Sequence, residues 1–335
     1  MELPHKVAVL GSNAFTSGHF IDHLLRETPA EVLGVSRSPE YDPVFLPFLY
    51  RQPRPARYRF HQLDMNRDLE AIMRLLDQFE PDVVVNYASQ GEVRNSWRWP
   101  EQWYQTNCVG VVRLAEQLRT RPYLKRYVSI STPEVYGASA GRVKENQTYD
   151  PSTPYAAAKL AGDLHLQCLF KRHGFPVVYT RAANLYGIHQ QLYRIIPRAV
   201  IYVKLGRTIQ LHGEGKARRA FIHARDVADL TWRAICNGRA GEVYHCAPDD
   251  GLRSIAEVVR LVCERMGRDF ETCTERIPEN FGQDACFDLD ATKARTELAW
   301  RPAVDFAEGV QDVIDWIESN WDFIRSQPLE YVHKE

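Results

Sequence analysis

The sequence predicts an α/β protein with a doubly wound parallel sheet and a smaller carboxy-terminal α/β lobe. Short apolar runs rich in β-branched residues recur along the first half of the chain, as in Lys6–Leu10, Val32–Val35 and Val83–Val85. Runs of this kind are typical of parallel strands buried on both faces. Each is followed by a segment long enough for a helix, and alternating strands and helices build a parallel sheet.

Length and composition limit the class of protein. The chain has 335 residues, of which 44% are hydrophobic and 25% charged, as in an ordinary globular protein with a large core. The net charge of −1 argues against nucleic-acid or membrane-surface binding. No apolar run reaches the roughly 18 residues of a spanning helix, and Met1–Lys6 lacks a signal-peptide pattern. Seven dispersed cysteines without metal-site spacing indicate reduced thiols, so we expect a cytoplasmic protein without a metal site.

The first strand leads into a turn that begins at Gly11, and a helix is predicted from His19 to Arg26. In such a unit the free N–H groups at the start of the helix hold a pyrophosphate. Ser17 is a candidate cap for this helix. The turn residues are candidate cofactor contacts: Gly11, Asn13, Ala14, Phe15 and Thr16. The pattern alone fits an ordinary strand-turn-helix equally well.

The end of the second strand bears on the choice of cofactor. Enzymes that use NAD usually place an acidic residue here, where it binds the ribose 2′-hydroxyl. This chain has Ser36 followed by Arg37. A guanidinium can bind the 2′-phosphate of NADP, so the sequence favours NADP over NAD, with Ser36 and Arg37 as contacts. The alternative is that Arg37 is a solvated loop residue.

The stretch Ser131–Lys159 carries the candidate catalytic groups. A predicted strand ends here and is followed by Thr132 and Glu134. Tyr155 and Lys159 are four residues apart, which places them on one face of a helix. An ammonium near a phenol favours the phenolate and lowers the tyrosine pKa, which makes a general base for an alcohol. The same spacing also arises by chance, and the preceding strand end is what favours catalysis.

In this combination the chain resembles the extended short-chain dehydrogenase/reductases, and within them the nucleotide-sugar 4,6-dehydratases and their epimerase and decarboxylase relatives. The resemblance extends over nearly the whole chain. It rests on motif matches in the segments Tyr104–Gly110, Ser131–Gly137, Tyr155–Lys159, Arg181–Gly187, Arg219–Val227 and Asp290–Pro302. It implies an NAD(P)-dependent enzyme with a Rossmann domain and a nucleotide-diphosphate sugar as substrate.

The resemblance also implies further contacts for both ligands. The cofactor is expected to contact, beside the residues above, Asp64, Met65, Tyr87, Ala88 and Ser89, together with Tyr155 and Lys159. The substrate is expected to contact Gln90, Asn184, Arg194, Gln210, His212 and Arg219, the last at its diphosphate. Asn107 is expected to be a structural hydrogen-bonding residue.

The chain departs from the family's pattern at three places. Only Gly11 matches the Gly-x-x-Gly-x-x-Gly turn, with alanine and serine at the other two glycine positions. Pro133 stands where dTDP-glucose 4,6-dehydratases have an aspartate that protonates the leaving hydroxyl, so Glu134 would act as base and then as acid. The segment Gly282–Ala285 lacks an arginine or histidine that binds phosphate in many relatives.

The reaction that the resemblance implies is a 4,6-dehydration. Tyr155, helped by Lys159 and Thr132, would remove the proton of the sugar 4-hydroxyl while hydride leaves C4. Glu134 would then remove the C5 proton, water would leave from C6, and hydride would return to C6. A nucleotide-sugar 4-epimerase and a UDP-glucuronate decarboxylase stay open as alternatives, and a non-catalytic NAD(P)-binding protein is a more distant one.

The predicted NAD(P)-binding domain comprises residues 1–187, which 226–247 rejoin, and residues 188–225 and 248–335 would form the nucleotide-sugar-binding lobe. The active site is expected between them. Relatives dimerise through the helices that carry Asn107 and Tyr155, so the resemblance implies a homodimer. The sequence leaves the nucleotide and the sugar open.

Overall fold

The computed structural model describes residues 3–138, 141–146, 148–278 and 288–333. The strands are, in chain order, β1 (Lys6–Leu10), β2 (Glu31–Ser36), β3 (Tyr58–Gln62), β4 (Val83–Asn86), β5 (Arg126–Ile130), β6 (Arg142–Val143), β7 (Val177–Ala182), β8 (Asn184–Tyr186), β9 (Ile209–His212), β10 (Arg218–Arg219), β11 (Phe221–His223), β12 (Val243–Cys246), β13 (Arg253–Ser254), β14 (Thr274–Ile277) and β15 (Asp288–Leu289). The helices are α1 (Phe15–Glu27), α2 (Leu69–Phe79), α3 (Val93–Ser96), α4 (Pro100–Tyr104), α5 (Val111–Leu118), α6 (Pro154–His173), α7 (Ile195–Leu205), α8 (Ala224–Asn237), α9 (Ile255–Arg265), α10 (Phe270–Cys273), α11 (Thr292–Glu297), α12 (Phe306–Ser319) and α13 (Trp321–Ile324). The segment Gly282–Ala285 lies outside the described residues.

Seven strands form one parallel sheet in the order β12-β7-β5-β4-β1-β2-β3. The strand order reverses between β1 and β4, since the chain returns from β3 at the edge to β4 beside β1, which confirms the predicted doubly wound fold. The register pairs Leu10 with Asn86, and Asn86 with Ser129. The carboxyl ends of β1, β4 and β5 therefore lie side by side at one edge of the sheet.

Alternation along β1 divides the core of the sheet into two layers. Val7 and Val9 pack with apolar residues of α1 and α8 on one face. Ala8 and Leu10 pack with residues of α2, α5 and α6 on the other. Both faces of the strand are buried, which explains its continuous apolar sequence.

Helix α1 begins at Phe15, so the prediction of a start at His19 was wrong. Ser17 lies inside the first turn, where its hydroxyl donates to the carbonyls of Gly11 and Ala14 at 2.7 and 2.8 Å. These two bonds stabilise Ser17 in the first turn of the helix, where a polar residue in the sequence had suggested a loop. Ser17 therefore does not cap the helix, and Ala14 occupies the cap position.

Asn107 lies in a π-helical turn, Gln105–Gly110, that joins α4 to α5. Its side chain is buried and pairs with the backbone of Gln90. The Asn107 Oδ1 accepts from the Gln90 N–H at 2.9 Å, and Nδ2 donates to the Gln90 carbonyl at 3.0 Å. These bonds confirm the structural hydrogen-bonding role predicted for Asn107, and they fix the loop after β4.

A second core lies among α7, α9 and α12 in the smaller lobe. Within the described ranges, short strands outside the main sheet pair two by two: β8 with β11, β9 with β14, β10 with β13, and β6 with β15. No helix within the described ranges is both long and apolar enough to cross a bilayer.

Three buried histidines lie where α1 meets the smaller lobe, and we call them the histidine seam: His19, His189 and His223. The ring of His19 lies 5.9 Å from that of His189 and 6.1 Å from that of His223, centroid to centroid. His189 Nδ1 donates to the Val44 carbonyl at 2.7 Å, and His19 Nε2 donates to the Ile188 carbonyl at 3.0 Å. Burial lowers the pKa of His189 to about 4 and that of His223 to about 3, so these rings are neutral near pH 7.

Candidate active site

The end of β5 presents Thr132 and Glu134 on a short 3₁₀ turn, Pro133–Tyr136. Thr132 is only 5% exposed and caps this turn, since its hydroxyl accepts from the Glu134 N–H at 3.3 Å. Pro133 occupies the first position of the turn, where a missing N–H costs nothing. The proline that departs from the family's pattern therefore has a local structural reason.

Helix α6 presents Tyr155 and Lys159 to the same place. Thr153 caps the helix by accepting from the Ala156 N–H at 3.1 Å. Tyr155 is half-buried, and its hydroxyl is hydrogen-bonded to Thr132 with the Glu134 carboxylate nearby. The Lys159 Nζ donates to the Ile130 carbonyl, at the end of β5, at 2.7 Å. The four predicted catalytic residues thus converge where α6 crosses β5.

The electrostatics of this cluster differ from the sequence-based expectation. Burial, together with the negative charge of Glu134, raises the pKa of Tyr155, whereas Thr132 and Arg194 act to lower it. Burial lowers the pKa of Lys159, and its ammonium points to the Ile130 carbonyl. The expected lowering of the Tyr155 pKa by Lys159 is therefore wrong for the protein by itself.

The turn after β1 fits a dinucleotide. Gly11 has φ +78°, and a Cβ atom there would lie 2.6 Å from the Ala88 nitrogen at the end of β4. Only glycine allows this close approach. Among the described residues no side chain caps α1, and its first turn carries no acidic residue. The N–H groups of that turn can therefore receive an anionic diphosphate.

The other predicted cofactor contacts fall into two sets. Five have side chains with structural partners: Asn13 donates to the carbonyls of Ser38 and Pro39, Phe15 packs edge-on against His19, Asp64 accepts from the Asn66 N–H, Met65 lies in the core, and Tyr87 packs against Phe20. For Met65 and Tyr87 this leaves the backbone as the part within reach of a cofactor. The remaining residues line the ends of β1, β2 and β4 with at least partial exposure: Gly11, Ala14, Thr16, Ser36, Arg37, Ala88 and Ser89.

The predicted substrate contacts are less uniform. Gln90 is buried and held by Asn107, whereas Arg194 lies at the start of α7, close enough to Tyr155 to affect its pKa. The others lie on short strands of the smaller lobe: Asn184 on β8, Gln210 and His212 on β9, and Arg219 on β10. Gln210 and His212 are exposed because Ile209 and Leu211, which alternate with them, face the core.

The structure also places beside the candidate site a segment that no sequence pattern predicted. Leu329–His333 runs from the core of the smaller lobe to α4. Tyr331 packs edge-on against Tyr193, with ring centroids 5.4 Å apart, and His333 stacks on Trp99 at 4.4 Å. Since Tyr193 precedes Arg194, this segment lies beside the candidate site.

Comparisons with known proteins agree with this geometry. The model of the NAD dependent epimerase/dehydratase family matches residues 7–247. The dTDP-glucose 4,6-dehydratase of Streptomyces niveus is 34% identical over 249 residues, which are 73% of this chain and 73% of that protein. The enzyme of that name from Mycobacterium tuberculosis is 30% identical over 327 residues, 94% of each chain.

Solved structures show the same fold. The dTDP-glucose 4,6-dehydratase of Streptomyces venezuelae, described with NAD bound, matches with a TM-score of 0.86 and 28% identity, over 95% of this chain and 98% of that one. The UDP-glucose 4-epimerase of Thermotoga maritima has a TM-score of 0.85 at 23% identity, over 94% of this chain and 99% of that one. The second likeness concerns the fold alone.

Proposed function

Because the chain belongs to the NAD dependent epimerase/dehydratase family, we propose that it is a nucleotide-sugar 4,6-dehydratase. The observation that carries this proposal is the position of Glu134, next to the hydroxyl groups of Thr132 and Tyr155. A 4-epimerase needs only the tyrosine, lysine and threonine of this set. A carboxylate at the same place supplies the additional base that elimination requires. The names of the most similar relatives point the same way.

In this proposal Tyr155 takes the proton of the sugar 4-hydroxyl. Thr132 orients the Tyr155 hydroxyl and the sugar 4-hydroxyl toward each other. The residues at the ends of β1, β2 and β4 would hold a nicotinamide dinucleotide, which would supply the acceptor for the C4 hydride and the donor for C6. The positive charge of its oxidised form would favour the Tyr155 phenolate, against the effect of burial. Lys159 holds α6 against the end of β5 through its bond to the Ile130 carbonyl.

Glu134 would perform the second step. Once C4 is a ketone the C5 proton is acidic, and the Glu134 carboxylate removes it. Pro133 has no proton to donate, so the carboxylic acid formed on Glu134 then protonates the leaving C6 hydroxyl. One proton moves from C5 to the departing water, and the carboxylate is restored. When hydride returns to C6, C5 takes up a proton from solvent, and Tyr155 releases to solvent the proton that it took from the 4-hydroxyl.

We further propose NADP rather than NAD as the cofactor, because Ser36 and Arg37 end β2 without a carboxylate. The test compares the Kd of NADP and NAD for the wild type and for Arg37→Ala. We expect NADP to bind more tightly, and the substitution to weaken NADP about tenfold or more with little effect on NAD. Tighter binding of NAD to the wild type would overturn this choice.

The proposed domain division places the diphosphate on the smaller lobe, at Arg219, with Asn184, Gln210 and His212 as further contacts.

A homodimer through α4, α5 and α6 is part of the same proposal. It is supported by exposed apolar side chains on that surface: Tyr104, Val109 and Leu164, each at least 41% exposed. Sedimentation of the wild type should give a dimer and that of Leu164→Asp a monomer. We also expect a cytoplasmic location.

The deciding experiment incubates the protein with UDP-, dTDP-, GDP- and CDP-hexoses in deuterated water and follows the products by mass spectrometry. A dehydratase gives a product that has lost water and carries deuterium at C5. An isomer of unchanged composition would indicate an epimerase, and loss of carbon dioxide from UDP-glucuronate would indicate a decarboxylase. Absence of turnover across the panel would contradict the proposal.

A further inference from the structure

A third polar residue continues the catalytic face of α6. Tyr155, Lys159 and Asp163 follow one another at intervals of four residues, so they lie on one side of the helix. Asp163 is 5% exposed, and its carboxylate accepts from the hydroxyls of Ser129, at 3.1 Å, and Ser131.

These bonds flank the one that Lys159 makes with the Ile130 carbonyl. Three consecutive residues are therefore hydrogen-bonded to α6: Ser129 and Ile130 in β5, and Ser131 directly after it. The next residue in the chain is Thr132, the partner of the Tyr155 hydroxyl.

Arg181, on β7, contacts both Asp163 and Ser131. It is 1% exposed, and its Nη2 lies 3.2 Å from Asp163 Oδ2. Its Nη1 donates to the Tyr136 hydroxyl at 2.5 Å, and its Nε donates to the Ser131 hydroxyl at 3.3 Å. Tyr136 ends the 3₁₀ turn that carries Glu134. One buried ion pair thus contacts α6, the end of β5 and the turn of Glu134.

We propose that Asp163 and Arg181 form a positioning pair that sets the placement of Thr132 and Glu134 relative to Tyr155. The proposal rests on the proposed function, because it concerns the groups to which that function assigns the chemistry. A buried ion pair is a costly way to gain stability, since both charges lose their hydration. The hydrogen bonds of this pair to Ser129, Ser131 and Tyr136, however, fix the relative positions of three separate segments, which an apolar contact would leave free to slide.

The charges of the pair also act on the reacting groups. For Tyr155 the carboxylate of Asp163 adds to the effect of burial, which raises the pKa. For Lys159 it opposes the effect of burial, which lowers the pKa. The other charged groups near Tyr155 are Glu134, which raises its pKa, and Arg194, which lowers it. Around Asp163 lie, besides Arg181 and Lys159, the phenols of Tyr127, Tyr149 and Tyr179.

The test is the pH dependence of kcat and KM for Asp163→Asn, measured with whichever nucleotide sugar the wild type turns over. Asparagine keeps the shape and an acceptor but removes the charge. We expect kcat to fall about 10- to 100-fold, as small displacements of catalytic groups do, with KM changed less than about threefold. Loss of the negative charge favours the Tyr155 phenolate, so the acidic limb of the profile should move to lower pH.

Two further variants separate positioning from folding. Asp163→Asn combined with Arg181→Met removes both charges, so no unpaired charge stays buried, and it should fold yet keep the lowered kcat. Asp163→Glu restores the carboxylate and should recover part of kcat and the position of the acidic limb. Asp312→Asn, in the exposed pair with Arg225, is the matched control and should behave as wild type.

A kcat loss that is uniform across pH and follows the folded fraction would overturn the positioning role and leave the proposed function intact. A wild-type kcat in the folded double variant would also overturn the positioning role and leave the proposed function intact. Failure of the wild type to turn over any substrate of the panel would overturn both proposals.

Discussion

The catalytic edge and the smaller lobe hold their polar residues in opposite ways. Thr132 and Lys159 are 5% and 7% exposed, and each is hydrogen-bonded to another segment, Thr132 to Tyr155 of α6 and Lys159 to the Ile130 carbonyl at the end of β5. Asn184, Gln210 and His212 are exposed on strands of three or four residues. Groups that exchange protons need a fixed geometry, which burial and paired hydrogen bonds provide. Exposed side chains on short strands can vary without disturbing a core, which suits the recognition of a particular sugar or base.

Tyr155→Phe provides the strongest test of the catalytic edge. The substitution removes the proposed base and keeps the packing of the ring, so we expect kcat to fall about 10³-fold, within the usual range for a general base. Steady-state turnover measures the loss, and circular dichroism checks the fold. Retention of more than about a tenth of the activity would assign the base to another group.

Glu134→Gln should separate the two steps of the proposed reaction. Without the carboxylate, elimination should slow about 100-fold, whereas oxidation at C4 continues because Tyr155 and Thr132 are intact. Reduced cofactor should therefore accumulate, which its absorbance reports. If turnover stops without any reduced cofactor, Glu134 serves the first step instead.

The histidine seam lies where α1 meets the smaller lobe, and acid should weaken the packing there. Burial lowers the pKa of His189 from 6.5 to about 4, a difference that corresponds to about 3 kcal/mol. The folded form thus resists protonation, and the unfolded chain takes up the proton first. Stability from this residue is complete above pH 6.5 and is lost as the pH falls toward about 4.

His189→Asn should flatten the pH dependence of the free energy of unfolding in that range. Asparagine tolerates the backbone at this position, where φ is +68°, and can still donate to the Val44 carbonyl. Urea titrations at several pH values measure the effect, with His212→Asn as an exposed control. Identical slopes for His189→Asn and the wild type would contradict the assignment.

Arg219→Ala tests the proposed recognition of substrate by the smaller lobe, and among these substitutions it should have the smallest effect on catalysis. Loss of a charged hydrogen bond to a diphosphate should raise KM about tenfold. We expect kcat to change less than twofold, because Arg219 lies on β10 of the smaller lobe, whereas the proposed base lies on α6. Arg218→Ala is the control, since this neighbour is exposed and donates to the Leu252 carbonyl. Equal effects of the two substitutions would remove Arg219 from the substrate site.

Prediction from sequence succeeded where a local pattern reflects local physics. The strand Lys6–Leu10 and the pairing need of Asn107 follow from an apolar run and from the cost of burying an amide. The start of α1 was misplaced because two bonds from Ser17 to the preceding turn hold a polar residue in the helix. The direction of the Tyr155 pKa was wrong because burial and Glu134 outweigh a lysine that is directed elsewhere.

The sequence by itself determined the parallel sheet, the family resemblance and the set of four residues at the end of β5 and on α6. Apolar runs and short motifs encode these features, since each depends on neighbours within a few residues. Only the tertiary structure showed the pairing of Asp163 with Arg181, the histidine seam and the contact of His333 with Trp99. The partners in those contacts lie 18 to more than 200 residues apart. Their meeting depends on how sheet and lobes pack, which no local pattern records.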